Sequence, residues 1–367
     1  SRGGRARLMD RAALLERLRR DLASAELDGI LVSSRSDVFY LSGFTGSSGV
    51  LLVTDGRALL FSDFRYRIQA VEQAGDFEFV EIERHLFRSV GRAAADFGAS
   101  RLGYNESHLT CEEHEQLAEG AGGIEFAKAG GLVERMREMK TPEEIDRIRR
   151  AAALADRAMS RMMTLLEPGR TEREIAIEGE FLMRREGAEA AAFDMIVASG
   201  PRSALPHAET TERKIEPGDM VVIDIGARAL GYCSDMTRSF AVRSASKKAK
   251  EIYELVYHAQ RTAAAEVRAG AKCGDVDSMA RTIIENAGYG DAFGHGLGHG
   301  VGIEVHEAPR LGKGNETVLK TGHVITVEPG IYIEGEGGIR LEDLLAVEED
   351  GAETLTGSEM PPELPIL

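Results

Sequence analysis

No apolar run in this 367-residue chain approaches the ~20 residues that a membrane-spanning helix needs, so no bilayer span is expected. Positive charge is short: 45 Lys and Arg stand against 61 Asp and Glu, a formal charge of −16. That balance argues against nucleic acid or an anionic membrane as a main partner. Cysteine is scarce. Cys111, Cys233 and Cys273 are odd in number and widely spaced and fit no zinc-knuckle pattern, so reduced thiols in a cytoplasmic protein are expected. The first seven residues, Ser1 to Arg7, include no Met and lack the apolar segment of a secretory leader; that start is expected to be trimmed or to carry residues added at cloning. The stretch Gly43-Phe44-Thr45-Gly46-Ser47-Ser48-Gly49 has neither the lysine of a phosphate loop nor G-x-G-x-x-G spacing. A turn between strands is expected there instead.

What is present is the composition of a soluble globular protein, 43% hydrophobic and 29% charged, long enough for two cores. Residues 10–26 carry Leu14, Leu15, Leu18 and Leu22 on one helical face. Strand-like runs follow at Ile30-Leu31-Val32, at 49–53, at 58–61 and at 77–80. The alternation of strands and helices to about Ala127 predicts an α/β domain. Thr141, Pro142 and Glu144 then form a capping box with proline at the first helical position. A long helix opens there, and the domain boundary is placed near residue 132, giving domains of 1–131 and 132–367.

The second domain repeats itself. Gly169 and Gly187 bracket one predicted helix and Gly270 and Gly288 another, each pair eighteen positions apart. Gly218 to Asp224 and Gly322 to Glu328 are both six positions, and a glycine follows two beyond each acid, Gly226 and Gly330. A second acid comes later in each half, Asp235 and Glu342. Two similar αβ halves, each offering two carboxylates to one central site, account for this pattern. His299, in Gly298-His299-Gly300, would be an asymmetric addition from the second half.

Taken singly these residues have ordinary readings: a strand-end aspartate, a strand running into Pro329-Gly330, a loop histidine, a solvated edge at Glu342-Asp343. Together they are more specific. Carboxylates set in apolar strand-like runs lose hydration and need partners or protons, and no matching set of lysines or arginines stands beside them in the sequence. Divalent ions answer that need, and two would balance four carboxylates.

The ordered segments Ile196–Gly200 with Pro206-His207, Asp224-Ile225-Gly226, Ser234-Asp235-Met236-Thr237-Arg238, His295–Gly302, Val305–Pro309, Glu328–Tyr332 and Gly338–Asp343 resemble the creatinase/prolidase/methionine-aminopeptidase superfamily. Within it they resemble the Xaa-Pro peptidases, aminopeptidase P and prolidase. Gly43–Gly46 and Asp63–Tyr66 are similar to the small creatinase-type N-terminal domain. The resemblance implies a creatinase-like α/β domain followed by a pita-bread α+β catalytic domain with a pseudo-twofold internal repeat. It implies two divalent metal ions, Mn²⁺ favoured over Co²⁺ or Zn²⁺ for so oxygen-rich a set. Asp224 would hold one ion, His299 and Glu328 the other, with Asp235 and Glu342 bridging. Two such ions lower the pKa of a shared water and polarise a carbonyl oxygen. Glu328 would shuttle the proton, and His207 and His306 would donate around the substrate. His295 would line the pocket. Arg310, four beyond His306, could fork onto a dipeptide's carboxylate, and Arg340 is expected to pair with Glu342 on its own strand face.

The activity implied is hydrolysis of the bond between an N-terminal residue and a following proline, with such peptides as the partners and a homodimer as the assembly. The N-terminal domain is expected to narrow access to the site. Dipeptidase and longer-peptide aminopeptidase stay open, because the stretch from Glu328 to Glu342 lacks the long insertion some prolidases carry. Methionine aminopeptidases resemble the chain less, usually having no such N-terminal domain, and creatinase works without metal. A non-catalytic binding or scaffold protein on the same fold would have lost ligands, and here all five positions stand.

Overall fold

Asp10 accepts a hydrogen bond from the Ala13 N–H and so caps the first helix, Arg11–Ser24, whose Leu15, Leu18 and Leu22 are buried. The structure is a computed structural model that describes residues 10–367; the reading of Ser1–Arg7 lies outside the described residues. Four strands foreseen or nearly so, Gly29–Val32, Val50–Thr54, Ala58–Ser62 and Glu78–Glu81, join Arg101–Tyr104 and Glu125–Lys128 in one six-stranded sheet. Its spatial order is 78–81, 58–62, 50–54, 29–32, 101–104, 125–128. The pairing is mixed: a tight turn joins the antiparallel pair 50–54/58–62, the antiparallel pair 29–32/50–54 is connected through helix Arg35–Ser42, and the pairs 29–32/101–104, 58–62/78–81 and 101–104/125–128 are parallel. The glycine-rich stretch 43–49 connects the helix Arg35–Ser42 to strand Val50–Thr54, not two strands; Gly43, at φ 78°, is the left-handed cap of that helix.

The described chain divides into two units after Arg137, where the sequence suggested a boundary after 131. Helix Leu132–Glu138 is tied to the first unit by a buried Arg137 Nη1–Asp37 Oδ1 contact of 2.7 Å and by Tyr40 Oη donating to the Met136 carbonyl at 3.2 Å.

The second unit is built from two helix-covered halves. Thr141 and Glu144 form the expected capping box at the start of helix Pro142–Met163. That helix and Glu172–Arg185 cover a core of Ala155, Met159, Met162, Val221, Ile223 and Ile225, which reaches the antiparallel strands Ile196–Ser199, Met220–Ile225 and Met236–Ala241. Helices Lys247–Ala265 and Cys273–Asn286 share a second core with Ile325, Val327 and Leu345, from strands Val324–Val327 and Asp343–Val347.

The internal repeat is written into the hydrogen bonds. Gly169 N donates to Ile215 O and Gly270 N to Leu319 O, both at 2.9 Å. Gly218 N donates to Val242 O at 2.8 Å and Gly322 N to Val347 O at 3.0 Å. Gly218 and Gly322, which open the two acid-bearing strands, hold φ of 90° and 97°, a region that side chains rarely adopt. A Cβ on Gly322 would also lie 2.9 Å from the Lys140 carbonyl, whereas one on Gly218 meets nothing nearer than 3.8 Å. We therefore expect Gly322→Ala to cost more than Gly218→Ala in urea unfolding, each losing about 1–3 kcal/mol; equal or negligible losses would contradict this account of the repeat.

Candidate metal centre

Antiparallel register sets the first pair of carboxylates. Thr237 lies opposite Asp224 in the pairing of Met236–Ala241 with Met220–Ile225, so Asp235, in the turn before Met236, comes beside the end of the Asp224 strand. In the other half, Val327 pairs with Asp343, which brings their neighbours Glu328 and Glu342 together. The two halves are then laced. Glu342 N donates to the Thr237 carbonyl at 3.2 Å, and Thr237 Oγ1 donates to Glu342 Oε2 at 2.7 Å.

His299 lies on strand Gly298–Gly300. Its Nδ1–H donates to Gly300 O at 3.0 Å, which leaves the lone pair on Nε2. That nitrogen stands 3.5 Å from Asp235 Oδ2 and 3.4 Å from Glu328 Oε1. Donor atoms of Asp235, His299 and Glu342 all lie within 4.8 Å of one another. Burial and the imidazole of His306 push the His299 pKa down to about 4, so the ring is neutral and offers an acceptor to two further acceptors.

The carboxylates are as crowded. Burial first, then the charges of Glu342, Asp224 and Glu328, raise the Asp235 pKa well above its ordinary value. Glu342 is raised by burial and by Glu328 and Asp224. Burial lifts Glu328 to about 8 against the opposing pull of Arg340. Asp224 Oδ1 is buried without a hydrogen-bond partner. Four carboxyl groups, a neutral imidazole lone pair and an orphaned carboxylate oxygen are donors of the kind hard divalent ions take, so the residues present fit two such ions.

One expectation is corrected. A basic group does stand among the carboxylates, and it is Arg340, whose Nη2 donates to Asp224 Oδ2 at 2.6 Å, not to Glu342. Thr237 intervenes, accepting from Arg340 Nε at 3.0 Å while donating to Glu342. Arg340 Nη1 also donates to the Pro206 carbonyl and to Tyr332 Oη, both at 3.0 Å. One guanidinium against four carboxyl groups still leaves negative charge in excess.

All ten residues singled out from the sequence line one cavity of about 1230 Å³: Asp224, Asp235, Glu328, Glu342, His207, His295, His299, His306, Arg310 and Arg340. The rings of His299 and His306 pack edge to face with centroids 4.4 Å apart. His295 donates from Nδ1 to Gly296 O at 2.8 Å and accepts from Tyr332 Oη at 3.0 Å; burial lowers its pKa to about 4. Sequence reasoning missed Tyr332, which joins His295 to Arg340, and the buried Asp277–Arg281 pair. Arg281 donates to the carbonyls of Phe293 and His295 at 3.0 and 2.8 Å, holding the loop that carries His295. Its only signal was an i,i+4 pair on helix Cys273–Asn286, which reads equally well as a solvated face.

The sequence profile of metallopeptidase family M24 matches residues 146–349, and that of the creatinase/prolidase N-terminal domain matches residues 15–139. The chain belongs to metallopeptidase family M24. It is 41% identical over 335 residues to an Xaa-Pro dipeptidase of Pyrococcus horikoshii, 91% of this chain and 93% of that protein. Its structure is similar to that of an Xaa-Pro dipeptidase from Bacillus anthracis, with a TM-score of 0.94 and 42% identity over 98% of this chain and 100% of that one. An X-Pro aminopeptidase from Thermotoga maritima MSB8 gives a TM-score of 0.88 at 37% identity, covering 96% and 100%. The resemblance drawn from the motifs is borne out, as are the creatinase-like α/β unit and the pita-bread unit.

The raised carboxyl pKa values make the metal-free protein pH-sensitive. Glu328 keeps its proton in the folded state up to about pH 8 but gives it up on unfolding above about pH 4.3. Unfolding thus releases a proton in that window, and stability falls as pH rises through it. The neutral histidines act oppositely, but only below their unfolded pKa of about 6.5. Between pH ~6.5 and ~8 the metal-free protein should therefore lose stability as pH rises, as the raised carboxyl group of Glu328 gives up its proton. Thermal melts in that range should fall without metal and flatten with Mn²⁺; a metal-free Tm that rises would contradict the crowding described.

Proposed function

We propose that this family member hydrolyses the bond between an N-terminal residue and a following proline, using Asp224, Asp235, His299, Glu328 and Glu342 to hold two divalent ions. The observation that carries the reading is the convergence of those five side chains on one cavity whose wall also presents His207, His306 and Arg310. The names borne by the similar proteins, Xaa-Pro dipeptidase and X-Pro aminopeptidase, point to the same bond. Four carboxylates against one imidazole favour Mn²⁺ over Co²⁺ or Zn²⁺.

The ions, when bound, supply Lewis acidity and a water of lowered pKa. The chain's own residues supply the rest. Glu328, a carboxylate at the edge of the ion site, would accept the proton released by the attacking water and return it to the leaving group. His306, whose pKa burial and Arg310 lower, is neutral at pH 7 and donates an N–H to the reacting carbonyl oxygen. His207 donates on the substrate side. Arg340 and Tyr332 keep Asp224 and His295 in place. Proline nitrogen in a peptide bond has no N–H, so ring fit and carbonyl contacts select it.

Strands Gly330–Ile333 and Gly337–Arg340 form a two-stranded hairpin, with Ile333 opposite Gly337. No insertion adds a further basic group between Glu328 and Glu342. Among the cations that line the cavity, Arg281, Arg310, Lys313 and Arg340, Arg310 stands four positions beyond His306 and is the one we assign to a dipeptide's carboxylate. Stripping metal should abolish cleavage of Xaa-Pro and Xaa-Pro-Yaa peptides and Mn²⁺ should restore it; activity that survives chelation would sink the reading. Arg310→Ala should lower kcat/KM for an Xaa-Pro dipeptide by about tenfold or more and spare the tripeptide. Equal losses would remove Arg310 from carboxylate binding.

A further inference from the structure

His306 is a loop histidine, partly open to solvent in the cavity wall, that must be aimed. Among the described residues no hydrogen bond is made by its imidazole, and its ring packs edge to face on His299. Its direction therefore depends on the backbone of the turn between Gly300 and Glu307.

That turn is closed from beneath by the next side chain. The Glu307 carboxylate folds back under it: Oε1 accepts from the Glu304 N–H at 3.1 Å and Oε2 from Lys140 Nζ at 3.0 Å. Gly302 N also donates to Glu304 O at 2.9 Å. A Cβ on Gly302 would run into that carboxylate, so the turn is built around it. The side chains of Lys140 and Glu307 are only 1% and 6% exposed. Lys140 is itself anchored, its N–H donating to Gly322 O at 2.8 Å, at the residue that opens the Glu328 strand.

Two opposite charges so deeply buried lose their hydration, and such a pair often adds little to stability when compared with apolar replacements. A loop that merely needed filling would be served by apolar side chains. This pair instead joins the start of the long helix Pro142–Met163 to the one turn that carries His306.

We propose that the buried Lys140–Glu307 ion pair is a positioning device for His306, holding the His306 turn in the geometry in which the imidazole meets the reacting carbonyl. The proposal rests on the peptidase reading given above. Neither Lys140 nor Glu307 touches substrate; both act through the backbone on either side of His306. Misplacement of a reacting group by about 1 Å can cost on the order of a hundredfold in rate, so a loosened turn should be felt in kcat.

The test is steady-state kinetics on an Xaa-Pro peptide with Mn²⁺-loaded, full-length protein. Lys140→Met and Glu307→Gln are each measured alone and in a His306→Ala background, at equal metal content. Either change alone should lower kcat by about tenfold to a hundredfold, with KM nearly unchanged, and Lys140→Arg should recover part of the loss. In the His306→Ala background the same changes should cost little more, because the group they aim is gone. Wild-type kcat in both single variants, or the same fold-loss with His306 absent, would overturn the proposal. Glu307→Gln keeps the shape and the acceptor for Glu304, so it decides alone should Lys140→Met fail to fold. A wild type inactive on every Xaa-Pro peptide sinks the peptidase reading itself, whereas an active wild type with indifferent variants sinks only the positioning role.

Discussion

Four carboxyl groups packed into a buried space around one neutral imidazole govern this molecule. Asp224, Asp235, Glu328 and Glu342 each come from a strand or from the residue next to one, so the sheet backbone fixes where each carboxyl group starts. The single guanidinium of Arg340 is committed to Asp224 and offsets only part of the charge. Left alone, such a cluster must hold protons, as the raised pKa values of Asp235, Glu342 and Glu328 express. Divalent cations held by these residues would replace those protons and would supply the water activation and carbonyl polarisation that peptidase chemistry needs.

The duplicated architecture is the means of assembling that cluster. Each half contributes a left-handed glycine, an acid-bearing strand and a return strand with a second acid, and the Thr237–Glu342 bonds join the halves where the acids meet. Symmetry supplies the four carboxylates and stops there. His299, His306 and Arg310 come only from the second half, and His207 only from the first. The substrate-facing wall is therefore asymmetric, as a site that must distinguish the two ends of a peptide has to be.

Local signals were legible in the sequence. Capping residues, glycine spacing and strand runs located helix Pro142–Met163, the repeat and the strands that carry Asp224 and Glu328, because those features depend on neighbours a few positions away. The ordered motifs identified the family and singled out ten residues that line one cavity. What failed was partner choice across sheets. Arg340 was matched with Glu342 by proximity on one chain segment, yet the fold brings Asp224 to its guanidinium and puts Thr237 between Arg340 and Glu342. Tyr332 and the Lys140–Glu307 pair were missed because their partners come from elsewhere in the fold, whereas the Asp277–Arg281 pair, four positions apart on one helix, had no local mark to tell it from a solvated face. Lys140 and Glu307 are 167 positions apart, and nothing local distinguishes them from solvated charges.

The most direct measurement of the central claim is calorimetric titration of Mn²⁺ into metal-free protein at pH 7, repeated in buffers of different ionisation enthalpy. The crowded carboxyl groups predict saturation at two ions per chain with net proton release, since groups such as Glu328 must surrender protons to bind metal. No saturable binding, or binding without proton release, would contradict the account.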